Sequence, residues 1–428
     1  MLSSLYRPCL TVICVFAAVC VLASASYGAS VGFSYPQRVG FQAGDQWEPA
    51  IAADASGHVY VLYPQYGGVP GCPGCFEPTM TLVVSENGGS SWQAPRAIIP
   101  PISGQFDPQI MVDPADHRTV YAAWLQNKKS DVVVAKSVDF GQSWSVVVAN
   151  RAADTDKPTL TVRGADVYVA FNHDHRLWVS ASHDGGVTFL SSKVPTPGKP
   201  DWSLPSGATI DQAGNVYFSW ASYTHKANRS RVSLYISRSA DGARNWTTTL
   251  LDLSTEAPDC SAYKCGWAYL GAQITIASDA AGTLYALWNS GTVDKSPERI
   301  YFSSSTTSGA TWLPKVDLSS APGGTEHAFP TLVAGAAGDV RVAWMDTREH
   351  PLWNAFYRSS TNGGATWSRV ILLSGGEPGY SYIKPNGFSF PFGDYFSMAL
   401  DGRGQAHIVW GEGLNFNSPG SIWYSNGR

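Results

Sequence analysis

The chain has 428 residues, 14% of them charged, and a formal net charge of −4 at pH 7. That charged share is far below the usual quarter. With no basic cluster either, nucleic acid is excluded as a partner. Glycine, serine, threonine and aromatics take the place of charge, a strand-and-turn composition with little material for exposed charged helices.

The chain opens with Arg7 followed by an almost wholly apolar run, Cys9 to Ala25, and then the small residues ASASYGAS. This order reads as a signal peptide over residues 1–29, cleaved near Ala25 or Ala29. A retained anchor is the competing reading, but the run barely spans a bilayer, so no stable membrane insertion is expected. The expected location is secreted or periplasmic. Residues 30–428 carry no Gly/Ser or Pro linker and read as one domain.

After the leader come seven copies of a strand, a tight turn of D-x-x-G type and a second strand ending in an aromatic. They begin with IAADASGHVYVLY and end with SMALDGRGQAHIVW. The terminal aromatics are Tyr63, Trp124, Phe171, Trp220, Trp288, Trp344 and Trp410, at steps of 47 to 68 residues. Such steps suit four-stranded propeller blades with variable loops. Val59, Val61 and Tyr63 alternate with Tyr60 and Leu62, the period of a strand. A second element follows the first six copies: SENGGSSW, SVDFGQSW, SHDGGVTF, SADGARNW, STTSGATW and STNGGATW. Its Asp or Asn is suited to accept backbone N–H groups two residues on, and Gly88, Gly185 and Gly363 to take positive φ.

The seventh copy ends in IWYSNGR without a fourth strand. Phe33 to Gly40 resembles the fourth strands, so it is expected to pair beside Ser421 to Ser425 and close the ring. The fold class expected is therefore all-β: a seven-bladed propeller closed by its N-terminal strand, with a six-bladed arrangement as the alternative.

Four cysteines remain after the leader, in the close pairs Cys72/Cys75 and Cys260/Cys265. Two local disulfides are the preferred reading in an exported chain, with a four-thiolate zinc site as the other possibility. No cofactor and no resident metal are expected otherwise. His173, Asp174, His175 and Arg176 form a polar cluster that reads as loop hydrogen bonding. The sequons at Asn228 and Asn245 matter only in a host that glycosylates its secreted proteins.

In a propeller the second-to-third and fourth-to-first strand connections share one face, and here they are the variable loops. Binding groups usually reside in such loops. Aligning the repeats places Glu48, Asp107, Lys157, Pro205, Gln273, Phe329 and Tyr395 where each innermost strand begins, near the tunnel mouth. Glu48, Asp107, Lys157 and Arg348 are the candidate ligand-binding residues. Asp346, Asp394, Tyr395 and Glu412 are the candidate catalytic ones: carboxylates for acid–base work and a tyrosine nucleophile. Asp346 and Arg348 read equally well as a pair that fixes a loop.

The repeated S-x-D/N-x-G-x-x-W element resembles the Asp box of sialidases and related BNR-repeat propellers. The resemblance covers essentially all of the chain after the leader. It implies boxes between third and fourth strands, on the face opposite the binding site. For a catalytic member it would also imply three arginines on a sugar carboxylate, a Tyr–Glu nucleophile pair and an Asp acid. This sequence departs from that set: WEPAI stands where an arginine would precede Ile-Pro. The position five residues before each box serine holds Met80, Val132, Leu177, Leu234, Ile300 and Ala355. Sialidases also have six blades rather than seven. Two functions follow. One is a monomeric carbohydrate-active protein that binds glycans and, if catalytic, hydrolyses them. The other is a non-catalytic lectin-like or protein-binding propeller. If the protein is an enzyme, the class expected is a sialidase-like glycoside hydrolase.

Overall fold

The computed structural model describes residues 32–46, 48–224, 230–259, 270–349, 353–374, 396–413 and 420–427. The described strands form seven antiparallel sheets, taken in chain order as blades one to seven. Their second strands are Val59–Tyr66, Val120–Gln126, Asp166–His173, Val216–Tyr223, Leu284–Ser290, Val340–Asp346 and Ala406–Gly413. Among the described residues no helix is long and apolar enough to cross a membrane.

Period-two alternation becomes burial on both faces of each blade. Val59, Val61 and Tyr63 pack with Val409, Ile422 and Tyr424 of blade seven. Tyr60 and Leu62 point the other way, onto Val120, Ala122 and Trp124 of blade two. The same arrangement recurs around the ring, so the core is a set of apolar layers between neighbouring blades.

Closure follows the sequence expectation. Gln37–Val39 pairs with Gly420–Gly427 in the register Gln37↔Tyr424, Arg38↔Trp423 and Val39↔Ile422. A further bridge joins Phe33 to Gly427. The seven-bladed reading therefore holds over the six-bladed one.

Blade one departs from the four-strand expectation. Its inner strand is broken into Asp45–Gln46 and Ala50–Ala53, both paired with Val59–Tyr66. Between them Glu48 takes φ 54°, and Pro49 has no N–H to give the ladder.

Both repeated turns are structural. Asp54 Oδ1 accepts the N–H groups of Ser56 (2.8 Å) and His58 (2.9 Å), while Oδ2 accepts the Tyr60 hydroxyl (3.0 Å). Asp211 with Tyr217 and Asp279 with Tyr285 repeat this arrangement, each phenol at 2.8 Å. In the Asp box, Ser182 Oγ donates to Asp184 Oδ1 (2.7 Å) and accepts from the Gly186 N–H (3.0 Å). Asp184 Oδ1 takes the Thr188 N–H at 2.9 Å, four residues on rather than the two expected. The longer reach arises because the serine hydroxyl fills the inside of the turn. Gly88, Gly185 and Gly363 all have positive φ.

The box aromatics are half-buried and join blades. Trp92 meets Tyr424 of blade seven edge-on (4.8 Å), and Trp367 meets Phe302 of blade five likewise (4.9 Å).

Candidate functional site

The mouth of the propeller is built by a bulge where several inner strands begin. Pairing skips a residue between Phe106 and Gln109, Asp156 and Thr159, Pro205 and Gly207, and Ala328 and Thr331. Bulges re-aim the side chains beside them. Beside three of these points Asp107, Lys157 and Phe329 lie at φ 57°, 53° and 55°, and Glu48 takes φ 54° in the break of the blade-one strand. Each of the four precedes a proline. All four residues are buried.

Lys157, Pro205, Gln273 and Phe329, with Phe396, line one cavity of about 40 Å³. That volume has room for a water or two, not for a sugar ring. A larger ligand would rest on this floor rather than enter it.

Beside the cavity, Lys129 of blade two closes an ionic clasp. Its Nζ lies 2.9 Å from Asp156 Oδ1 and 3.3 Å from Asp107 Oδ2. The hairpin that carries it runs through three consecutive left-handed residues, Asn127, Lys128 and Lys129, at φ 53°, 56° and 60°. Each such residue costs roughly 1–2 kcal/mol when it is not glycine. The turn is held by neighbours: Thr155 donates its N–H to the Lys129 carbonyl (3.0 Å), and Ala152 donates to Ser130 (2.9 Å). Burial alone would lower the Lys129 pKa, but Asp107 and Asp156 outweigh it and hold the ammonium above the ordinary lysine value. Burial raises the Asp156 carboxyl, with Lys129 opposing. The Tyr66 phenol is raised by burial first, then by the Glu48 and Asp107 carboxylates. Glu48, Asp107, Asp156, Lys129 and Tyr66 thus share one electrostatic neighbourhood. Sequence reading found Glu48 and Asp107 but missed Lys129 and Asp156.

The remaining candidates lie elsewhere. Asp346 is fully buried. It accepts Arg348 Nη2 at 2.6 Å and the Trp344 indole N–H at 2.8 Å. Arg348 also bonds the Ser319 carbonyl (2.9 Å) and stacks over Phe356 at 4.1 Å. Glu412 is buried as well and accepts the Trp410 indole N–H at 2.9 Å. Blade two makes the equivalent bond from Trp124 to the neutral Gln126, at 3.2 Å. All three acceptors stand two residues after a terminal tryptophan, so this bond needs an acceptor and not a charge. Asp394 and Tyr395, like Cys260 and Cys265, lie outside the described residues.

In blade three, His173 Nδ1 bonds the Ala153 carbonyl (2.9 Å) and His175 Nδ1 the Asp201 carbonyl (2.5 Å). Arg176 reaches the Pro200 carbonyl at 3.5 Å. Among the described residues, no group of three His, Cys, Asp or Glu side chains could hold a metal ion.

A second acidic group joins blades five and six. Glu298 is fully buried, bonded by Asn289 Nδ2 (2.8 Å) and Ser254 Oγ (3.2 Å). Burial, reinforced by neighbouring Glu326, raises its pKa well above the ordinary value. Burial also raises Glu326 from 4.5 to about 7. The folded chain therefore holds this proton more tightly than the unfolded chain. The stability it contributes is complete below pH 4.5 and lost as pH rises through about 7. Between pH 5 and 8 the protein is expected to lose about 1–2 kcal/mol on this account, after discounting for partial exposure. Glu326→Gln should flatten that slope in melts across the range. Equal slopes in both proteins would remove Glu326 as the cause.

A seven-bladed Asp-box propeller with a polar, bulge-built mouth defines the class. The chain belongs to the BNR repeat-like domain family, which it matches over residues 41–276. No match is found among curated proteins. Among solved structures it is similar to a protein of unknown function from Dyadobacter fermentans, at 13% identity, with 92% of this chain and 98% of that one covered and a TM-score of 0.53. It also aligns with the NanB sialidase from Streptococcus pneumoniae, at 11% identity, 91% and 70% coverage and a TM-score of 0.49. YCF48 from Cyanidioschyzon merolae aligns at 12% identity, 91% and 98% coverage and the same TM-score of 0.49. The likeness to the Dyadobacter fermentans protein is one of fold alone.

Proposed function

We propose that the protein is exported and binds a glycan at the propeller mouth, over the clasp formed by Lys129, Asp107 and Asp156. The observation that carries this reading is the clasp itself, a lysine presented by three left-handed residues. Such strain persists where surroundings enforce it, and it clusters at ligand sites. Carboxylates of Glu48, Asp107 and Asp156 would accept sugar hydroxyls, Lys129 and Lys157 would donate, and the Phe106 ring beneath Lys129 (5.6 Å) offers an apolar face. Membership of the Asp-box propeller family supports a carbohydrate ligand. The reading of residues 1–29 as a signal peptide and the Cys72–Cys75 disulfide support export.

The ligand best suited is a neutral or amino sugar. Three arginines of blade six are already engaged: Arg348 on Asp346, Arg341 on Asp339, and Arg358 on the Ser368 and Leu318 carbonyls. These three are therefore spent on the scaffold and not offered to a sugar carboxylate. Binding is favoured over hydrolysis because Asp346 and Glu412 already serve as acceptors for tryptophan and arginine. A glycan array with neutral, amino and sialylated sugars, with reducing-sugar release followed in parallel, tests this. Lys129→Ala is expected to weaken the best ligand about tenfold or more, the loss of one charged hydrogen bond. Wild-type protein that binds no glycan, or a folded Lys129→Ala that binds equally well, would sink the proposal.

A further inference from the structure

The Cys72–Cys75 bridge lies in the connection between the second and third strands of blade one, on the same face as the mouth. The segment reads Cys-Pro-Gly-Cys, and the cysteines are three positions apart. Loop-closure stabilisation grows with the length of chain enclosed, so this bridge is at the weak end as a staple.

The loop also has other ties. Cys72 donates its N–H to the Val69 carbonyl (2.9 Å), and Cys75 donates to the Cys72 carbonyl (3.1 Å). Gln65 Nε2 bonds the carbonyls of Tyr66 (2.9 Å) and Gly68 (3.1 Å). At the far end Thr79 Oγ1 donates to the Phe76 carbonyl, and Gln105 donates to the Pro78 carbonyl (2.8 Å). None of these bonds needs the sulfur–sulfur link. Access is open as well. Both cysteines are partly exposed and Pro73 and Gly74 are exposed. A side chain built at Gly71 or Gly74 would meet nothing within 4 Å. Phe76, one residue on, is 51% exposed.

We propose that Cys72 and Cys75 form a thiol–disulfide exchange site that oxidises the dithiol of a peptide or protein. A substrate thiolate attacks one sulfur, the bridge breaks, and the other cysteine leaves as a thiolate. The second substrate thiol then displaces the mixed disulfide. The substrate loses two electrons and two protons and becomes a disulfide, and Cys72 and Cys75 take them up as two thiols. A small-molecule disulfide of the exported compartment restores the bridge by the same exchange.

The test mixes oxidised full-length protein with an excess of a reduced synthetic peptide carrying two cysteines. Peptide disulfide is counted by mass spectrometry, and alkylation maps the protein cysteines. One equivalent of peptide should be oxidised, Cys72 and Cys75 should become alkylated, and the melting temperature should stay unchanged. Replacing both cysteines by serine should slow peptide oxidation about tenfold or more. A bridge that resists the peptide, or that opens only with loss of the fold, would show a structural staple. Exchange that persists in the double-serine variant would place the reactive pair elsewhere. Either result overturns the proposal.

Discussion

Deleting residues 33–40 should abolish a stable fold at physiological temperature, although it removes only one short strand of the seven blades. The segment places Phe33 (5% exposed) in the layer between blades six and seven, and Val39 (3%) in the layer between seven and one. Burying two such side chains contributes roughly 1.5–3 kcal/mol each. The ladder to Gly420–Gly427 and the bonds between Ser34 and Asn426 go with them. A loss of about 5 kcal/mol or more equals the whole stability of many domains. The deletion also bares the backbone of Ile422, Trp423 and Tyr424, an apolar edge primed to pair with other chains. Thermal melts with light scattering decide the matter. A deleted chain that melts near the wild-type temperature and stays dispersed would mean that closure contributes little.

The scaffold is legible because its turns demand particular residues at fixed offsets. Asp54, Asp211 and Asp279 each need a carboxylate followed by short turn residues, and the box needs serine, Asp or Asn, and glycine in order. Such needs repeat in the chain as they repeat around the ring. The missing fourth strand of blade seven is legible for the same reason, since one strand is lacking at one end and present at the other. The broken inner strand of blade one is harder to read. Its signal, a residue before proline at the strand entrance, also occurs in blades two, three and six. It marks the bulges beside Asp107, Lys157 and Phe329 as well as the break at Glu48.

The site is less legible, because its groups meet only when blades close on one another. Lys129 reaches Asp107 and Asp156 from a hairpin whose left-handed residues, Asn-Lys-Lys, include no glycine to flag the turn. Glu298 and Glu326 belong to different blades and share no motif. Asp346, Arg348 and Glu412 stand out in the sequence as charges at strand ends. Aligning Asp346 and Glu412 with Gln126 shows what that position requires, an acceptor for the indole two residues earlier, and Arg348 pairs with the Asp346 acceptor. Charge at a loop is a weak sign of chemistry when a neutral side chain does the same task in a sister repeat.

Gly364→Ala should destabilise the protein by about 2–5 kcal/mol, more than alanine at another glycine of similar backbone shape. Gly364 is the second glycine of the blade-six box, at φ 89°, and a β-carbon there would lie 2.2 Å from Phe302 Cε1 of blade five. Phe302 cannot retreat easily, for it stacks on Tyr285 (5.9 Å) and meets Trp367 edge-on (4.9 Å). Gly404, at φ 71° with nothing within 4 Å of an added β-carbon, isolates the backbone cost. Alanine at Gly404 should therefore lose only about 1–2 kcal/mol. The excess at Gly364 measures overpacking between blades, typically about 1–3 kcal/mol. Phe302→Leu should recover part of that excess in the double variant, as residues in contact do not add. Denaturant melts of the four proteins give the cycle. Equal losses at Gly364 and Gly404, or strict additivity with Phe302→Leu, would show that the box turns are stabilised within each blade and do not lock one blade to the next.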